Sequence, residues 1–386
     1  MQFTMLITTQ GLCKGYIMSY RETYIKVDLD RLKHNLLTLS KSSNRKSLFC
    51  VVKANAYGHG AIPISNFLSQ QEEVDYLCVS SLDEAMELRE AGISFPIIIL
   101  GYTDPKHVNI CIENKITISI VSLDYLNQLL RENIKTENLI AHIKIDSGMN
   151  RLGIKKINDY IEVINTCKNY AIRVEGIFTH YHSADATDNH YILEQYLRFK
   201  EFITATDDQF KWIHISNSDA VFSHQESISN AIRCGLAIYG YSKKSNELKP
   251  VLSLYTHVTQ IKEVHKDEVI SYSATYKSER DQHIAILPIG YADGINRKLQ
   301  NRLLFINEMP VRILGRICMD QLVIEYPSNC KDELVEIIGD HQNCDDIADA
   351  LNTIPYEVLT TLSDRITRRY YLNNIFQFEV NYRYKK

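Results

Sequence analysis

From residue 47 onward, short apolar or β-branched runs alternate with stretches whose apolar residues recur at helical spacing. Eight runs read as strands: 47–52 (SLFCVV), 76–80 (YLCVS), 95–100 (FPIIIL), 116–121 (ITISIV), 140–145 (IAHIKI), 173–180 (RVEGIFTH), 212–216 (WIHIS) and 236–240 (LAIYG). Amphipathic segments lie between them. In SLDEAMELREAG, Ser81 is placed as N-cap and Gly92 at the C-terminal cap; SLDYLNQLLREN is capped by Ser122. Eight strands joined by seven crossover helices close into a (β/α)8 barrel or open into a wide doubly wound sheet. The barrel is the better reading, because about 200 residues suit it and no G-x-G-x-x-G turn follows the first strand.

The segment TYIKVDLDRLKHNLLTLSKS supplies one further strand and a helix, which close the bottom of the barrel or pair elsewhere. Beyond about residue 248 helical spacing disappears, and strand-like runs follow one another: LSLYTHVTQIKEV, HIAILPIGYA, PVRILGRICM, QLVIEY and LVEIIG. A late helix is expected at about 345–352, with a second at 356–363. The fold class expected is therefore α/β, a (β/α)8 TIM-type barrel followed by a mainly antiparallel β domain. The expected division is an N-terminal extension at 1–20, the barrel at 21–247 and the β domain at 248–386, with Met18 as an alternative start.

Composition narrows the function. A chain of 386 residues, 45% hydrophobic with 15 Gly and 8 Pro, builds large cores and has no fibrous or disordered bias. A net charge of -4 without a long basic run points away from nucleic acid and anionic membranes, and towards a small-molecule partner. Nine scattered cysteines, none in a C-x-x-C pair, fit a reducing cytoplasm. No stretch approaches the roughly 18 uninterrupted apolar residues of a membrane span.

In a barrel the chemistry gathers at the C-terminal ends of the strands. Strand one ends at Lys53, strand five at DSGMNR with Arg151, strand six at His180, strand seven at Asn217 and Ser218, and strand eight is entered by Arg233 and Gly235. An amine held among apolar groups has a lowered pKa and becomes a nucleophile able to form an imine with an aldehyde. Position alone leaves a second reading of Lys53, a lysine snorkelling at a strand end. The loops after strands seven and eight are the usual phosphate site of such barrels, and Ser218 and Gly235 suit one. Phosphate and imine together suggest pyridoxal phosphate (PLP). Arg233 fits as the partner of a pyridine nitrogen that stays unprotonated, and equally fits a structural ion pair. THYHSADATDNH, with His180, His182 and His190, could be read as a metal site, but no zinc-like spacing recurs, so no metal is expected. YADG (291–294) and SYSATY (271–276) read as turns with aromatic cover.

These residues, in this order, resemble the bacterial alanine racemases, a PLP family pairing a (β/α)8 barrel with a β domain. The resemblance runs from about Thr23 to Arg369 through VVKANAYGHG, IKIDSGMNRLG, IFTHYHSAD, HISNS, IRCGLAIYG, SYSATY, LPIGYADG, GRICMDQ and PYEVLTTLSDRITRRY. It implies that Lys53 carries the cofactor and serves as one base, with Tyr272 as the base on the opposite face. It further implies that Tyr57, Ser218, the backbone at Gly235 and Leu236, and Tyr356 hold the phosphate, with Asn217 beside them and Arg233 at the ring nitrogen. His180 would stack near the ring. Positive charge from Arg233 and His180 would ease Tyr272 towards phenolate. The substrate carboxylate would fall to Arg151 and the Met319 backbone amide; Tyr291 and Tyr356 would narrow the pocket, with Asp185, Arg297 and Arg316 further out. Lys144 matches a lysine carbamylated in some relatives. Family members are homodimers whose sites combine both chains, so Lys53 and Tyr272 would act from different subunits. Departures from the family pattern are Ser273 where glycine is common, Cys234, and His182 in a usually small position.

The expected activity is interconversion of L- and D-alanine, supplying D-alanine for peptidoglycan. The nearest rival is a serine or broad-specificity racemase of the same family, because excluding one small substituent is worth only about 1–3 kcal/mol. A PLP-dependent decarboxylase would need a catalytic cysteine and an acidic pocket, whereas GRICMDQ matches the racemase form. A non-enzymatic PLP-binding module would be a barrel alone.

Overall fold

The computed structural model describes residues 19–384, except 187, 189, 224, 225, 329 and 332. Most of the expected N-terminal extension thus lies outside the described residues. The chain divides into two compact units. One holds Lys33–Ala56 and Gly60–Lys249; the other holds the described residues up to Leu32, Tyr57–His59, and those from Pro250 onward.

The first strand, β1 (Tyr24–Asp28), alternates half-buried and buried residues and runs into a helix at Leu29–Ser42. The first unit is a closed barrel of β2 (Ser47–Val51), β3 (Val74–Val79), β4 (Ile97–Ile99), β5 (Ile116–Ile120), β6 (Ile140–Lys144), β7 (Arg173–Phe178), β8 (Trp212–His214) and β9 (Ala231–Cys234), in sequence order. All pairings are parallel, and β9 closes on β2 with Ser47 opposite Ala231. Strands β4 and β5 are buried throughout, as expected where helices cover one face and the barrel interior the other. The interior is filled by rings: Phe49 lies 4.7 Å from Tyr76, 5.3 Å from Trp212 and 4.9 Å from His214, centroid to centroid. Ser81 caps the helix Leu82–Glu90 through the Glu84 amide, and Ser122 caps Leu123–Leu129 through the Tyr125 amide, both as expected.

Two expectations change. The eighth strand is Ala231–Cys234, not 236–240, because Leu236–Tyr239 turns as a 3-10 helix. LAIY is as apolar as a strand, but the Ile238 and Gly240 amides bond to the Gly235 and Ala237 carbonyls, and Ser218 Oγ accepts the Gly235 and Ala237 amides at 3.2 Å each. Arg233 accordingly sits on the strand rather than before it. The leading strand β1, expected within the 21–247 barrel segment, pairs elsewhere, in the middle of the second unit's main sheet.

The second unit contains β10 (Leu252–His257), β11 (Gln260–Val264), β12 (Val269–Ile270), β13 (Tyr276–Lys277), β14 (Gln282–Leu287), β15 (Leu303–Ile306), β16 (Met309–Arg312), β17 (Leu322–Glu325), β18 (Leu334–Ile338), β19 (Thr367–Leu372) and β20 (Ile375–Val380). Seven strands form one sheet in the order β16-β15-β18-β10-β1-β19-β20; β11-β14-β17 and β12-β13 form smaller ones. Among the described residues of this unit, β1 and β19 are the only strands that pair in parallel. The late helices are Cys344–Leu351 and Pro355–Thr360, the second starting on a proline and ending earlier than 363.

Candidate active site

Lys53 stands two residues beyond β2, and the chain then reverses hand. Ala54, Asn55, Ala56 and Tyr57 all have φ of 52–53°. A left-handed turn of L residues costs roughly 1–2 kcal/mol per residue, so surrounding bonds must impose it. Glu84 Oε1 accepts the Ala54 amide at 2.8 Å while its Oε2 accepts the Ser80 amide at 2.7 Å. Asn55 accepts Gly60 N on its carbonyl (2.9 Å) and Ala61 N on its side chain (2.7 Å), capping the helix Ala61–Leu68 from a distance. The Tyr239 hydroxyl donates to the Val51 carbonyl at 2.9 Å and anchors the end of β2. Burial, and then the positive charge of Arg151, push the Lys53 amine below the usual lysine value, with Glu84 opposing. This environment favours the nucleophile reading of Lys53 over the snorkelling one.

Tyr57–His59 belong to the second unit. Gly58, at φ +80°, passes so close to that unit's backbone that a Cβ would stand 2.4 Å from the Leu359 oxygen. Arg368, fully buried, donates to the carbonyls of Gly58, Leu362, Ser363 and Ile366, and the Tyr370 hydroxyl donates to His59 O at 2.8 Å. The Tyr57 and Tyr356 rings lie 5.7 Å apart, so the two tyrosines assigned to one phosphate are neighbours.

In the barrel, Ser218 Oγ and the amides of Gly235 and Ala237 converge as a cradle of hydrogen-bonding groups suited to an anion. Asn217 turns both polar atoms to backbone, donating to Tyr181 O and accepting from Ala220 N at 3.2 Å each. Arg233 is buried with no carboxylate paired to it among the described residues. Its donors go to the His214, Thr179 and Ile215 carbonyls and to ring nitrogens of His214 (2.9 Å) and His180 (3.2 Å). Burial lowers its pKa to about 10, which leaves it charged at neutral pH. The ion-pair reading of Arg233 therefore finds no carboxylate among the described residues.

Behind Arg233 stands a relay that the sequence reading missed. His214 Nδ1 accepts from Arg233, so its Nε2 carries the proton and donates to His142 Nδ1 at 2.9 Å. His142 is then protonated on Nε2, which finds no partner. Burial and the Arg233 charge keep His142 neutral, with a pKa near 3, and push His214 well down. The signal lay in IAHIKI and WIHIS, where a histidine interrupts an otherwise apolar strand on each side of β7.

Lys144, at the end of β6, is buried with its ammonium 4.9 Å from the Phe178 ring centroid, and burial followed by the Arg233 and Arg151 charges pushes it well below the usual lysine value. Arg151 is exposed on a loop folded round Asp146, whose Oδ1 accepts the Gly148 and Asn150 amides. Buried Gln195 joins this loop to the next, donating to Ser147 Oγ and the His180 carbonyl and accepting the His182 amide. His180 needs correction as a source of positive charge. Burial and Arg233 push its pKa well below the imidazole value, so it is neutral, and Arg233 carries that charge alone. His180 goes to Arg233 and His182 to Ser183, while His182 and His190 both lie against the Tyr191 ring. No metal-ligand cluster occurs among the described residues. Asp185 pairs with Lys243 at 3.5 Å.

The remaining assigned residues lie in the second unit. Tyr272 opens a 3-10 turn in which Ser273 has φ +59°, which explains why glycine is common there; its hydroxyl accepts Arg316 Nη1 at 2.8 Å. Tyr291 and Met319 sit on adjoining loops, the Tyr291 amide donating to Cys318 O and the Ala292 amide to Met319 O, each at 3.0 Å. The Arg297 guanidinium lies 5.9 Å from the Tyr291 ring centroid. Tyr272, Met319, Tyr291 and Tyr356 are 65%, 53%, 42% and 36% exposed, open to whatever faces this unit.

The family model described as alanine racemase, N-terminal domain, matches residues 27–243, and its C-terminal counterpart matches 251–370. Among curated relatives, alanine racemase of Streptococcus agalactiae is 37% identical over 92% of this chain and 100% of its own, and that of Streptococcus pyogenes 37% over 91% and 99%. Among solved structures, alanine racemase of Bacillus anthracis with bound L-Ala-P superposes with a TM-score of 0.89 at 33% identity, covering 95% of this chain and 99% of that one. The Clostridium difficile enzyme gives 0.87 at 32%, covering 95% and 100%. With both domains matched end to end on a closed parallel barrel and an antiparallel sheet, the chain belongs to the alanine racemase family.

Proposed function

We propose that this protein interconverts L- and D-alanine as a PLP-dependent homodimer in the cytoplasm, supplying D-alanine for peptidoglycan. The observation that carries the reading is a pair of groups in the barrel: an amine of lowered pKa at the end of β2, and the buried guanidinium of Arg233 without a counter-ion. These fit the aldehyde and the ring nitrogen of PLP, and the Ser218, Gly235 and Ala237 cradle fits its phosphate. Tyr57 and Tyr356 would add hydroxyls to that phosphate, with Leu236 N beside them. The nine cysteines are scattered with none in a C-x-x-C pair, which suits a reducing compartment.

Inverting Cα requires removing its proton from one face and returning one to the other. Lys53 Nζ, whose pKa is lowered first by burial, would take the proton on one face as the free amine and give it back as the ammonium; the partner's Tyr272 hydroxyl would do so on the other. When bound, PLP would accept the electron pair left at Cα. Arg233, a permanent cation that does not release its proton to the ring, would keep that acceptance weak and so limit side reactions. His180 is neutral, so it would bring no positive charge to the second face. Arg151 and the Met319 amide bind the substrate carboxylate. Burial holds Lys144 well below the usual lysine value, so it gives up its proton more readily than a free lysine, which would ease uptake of carbon dioxide as a carbamate with release of a proton, as the family resemblance implies.

The bulky Tyr356 phenol would leave room for little more than a methyl group, which favours alanine over serine. Incubating the purified protein and PLP with L-alanine, L-serine and L-lysine, then resolving enantiomers, tests this. Alanine should racemise fastest; faster turnover of serine would establish the rival specificity, and carbon dioxide release from lysine would establish a decarboxylase.

A further inference from the structure

Tyr291, Ala292 and Asp293 form one 3-10 turn, and the third residue is its least solvated. The Asp293 side chain is wholly buried, and a buried carboxylate is stable only with opposite charge and hydrogen bonds around it. It has both. Its Oδ1 accepts Arg21 Nη2 at 2.8 Å and lies 3.6 Å from Arg365 Nε, while Oδ2 accepts the Gly290 amide at 3.1 Å. Arg365 continues to Asp320, next to Met319, at 2.6 Å. One carboxylate thereby ties the loop bearing Tyr291 to the loop bearing Met319. There is no slack in the joint, for a Cβ on Gly290 would stand 2.4 Å from both the Cys318 and the Met319 oxygens.

We propose that Asp293 is a positioning residue of the reaction: through Gly290 and Arg365 it fixes the spacing between the Tyr291 phenol and the Met319 amide, and with it the size of side chain the substrate can carry. The proposal rests on the reading above that those two groups face the substrate. A purely structural role would lower the folded fraction and Tm while leaving KM and the preference among substrates unmoved. A positioning role moves both in the protein that remains folded.

Asp293→Asn keeps the shape and removes the charge between two guanidinium groups. In the PLP-loaded variant, KM for L-alanine should rise about tenfold, with kcat changed by less than about threefold, and the alanine-to-serine ratio of kcat/KM should fall. Amide hydrogen exchange in peptides covering 290–294 and 318–320 should quicken, with barrel peptides unaffected. If Asp293→Asn does not fold, Arg365→Gln on a partly exposed side chain should move KM and the ratio in the same direction, and Arg365→Lys should recover part of the loss. Unchanged KM and ratio in a folded variant, or unchanged exchange in the two loops, overturns the proposal. A wild-type protein that fails to racemise alanine overturns the functional reading instead, and the exchange measurement still decides whether Asp293 holds the loops.

Discussion

At the scale of single residues, the candidate chemistry depends on charges kept away from their usual partners. Lys53 has its pKa lowered first by burial and next by Arg151, against the pull of Glu84. A lysine so lowered is neutral, and able to attack an aldehyde, at a lower pH than a free lysine; the capture rate should rise with pH through a midpoint below 10.5. Arg151→Gln removes the second cause and should shift that midpoint upward. The check is the growth of visible absorbance after PLP is added to cofactor-free protein across a pH series, and an unmoved midpoint would remove Arg151 from the account. Much at this scale was legible, because Lys53, Arg151, His180 and Ser218 follow the strands they were expected to follow, whereas Arg233 lies on its strand rather than before it. Charge states were not. His180 lies in a motif that suggests an active imidazole, yet its neutrality follows from Arg233, which lies 53 positions away in sequence and becomes a neighbour only when the barrel closes.

At the scale of elements, the lesson lies at residues 231–240. AIRC and LAIY are equally apolar, and periodicity cannot rank them; the second turns on its own 3-10 bonds, and a hydroxyl from another loop accepts the Gly235 and Ala237 amides. That places Ser218 at the joint between two loops as well as at the cradle. Ser218→Ala should leave the 3-10 turn in place, since the Ile238 and Gly240 amides still bond to Gly235 and Ala237. It should leave two amides without their acceptor and weaken PLP binding by about tenfold, on the order of 1–1.5 kcal/mol. Titration followed by absorbance reads this, and wild-type affinity would remove Ser218 from the cradle. The strand β1 was ambiguous for a similar reason: its alternating burial fits any half-covered sheet, and its partners β10 and β19 lie more than 200 residues downstream.

At the scale of the whole molecule, both domains were readable from texture, alternating strand and helix before residue 248 and strands alone after it. The assignment of Tyr57–His59 to the second unit was not readable, because it arises from Arg368 and Tyr370 binding carbonyls some 310 positions earlier. The proposed sharing of a site between subunits makes a further prediction. Lys53→Ala and Tyr272→Phe should each be inactive alone, yet co-expressed they should form mixed dimers with one intact site, giving about a quarter of wild-type activity under random pairing. Activity of the purified mixture measures it, and none above the separate variants would mean that both groups act within one chain.

The left-handed turn after Lys53 has a stereochemical consequence of its own. Positive φ is the comfortable region for residues of the mirror-image hand, so alanines 54 and 56 occupy a backbone that their own enantiomer would adopt without strain. A chain assembled chemically with D-alanine at those two positions would keep the turn and shed its cost. The segment beside the reactive lysine is thus better shaped for the proposed product than for the amino acid that ribosomes supply.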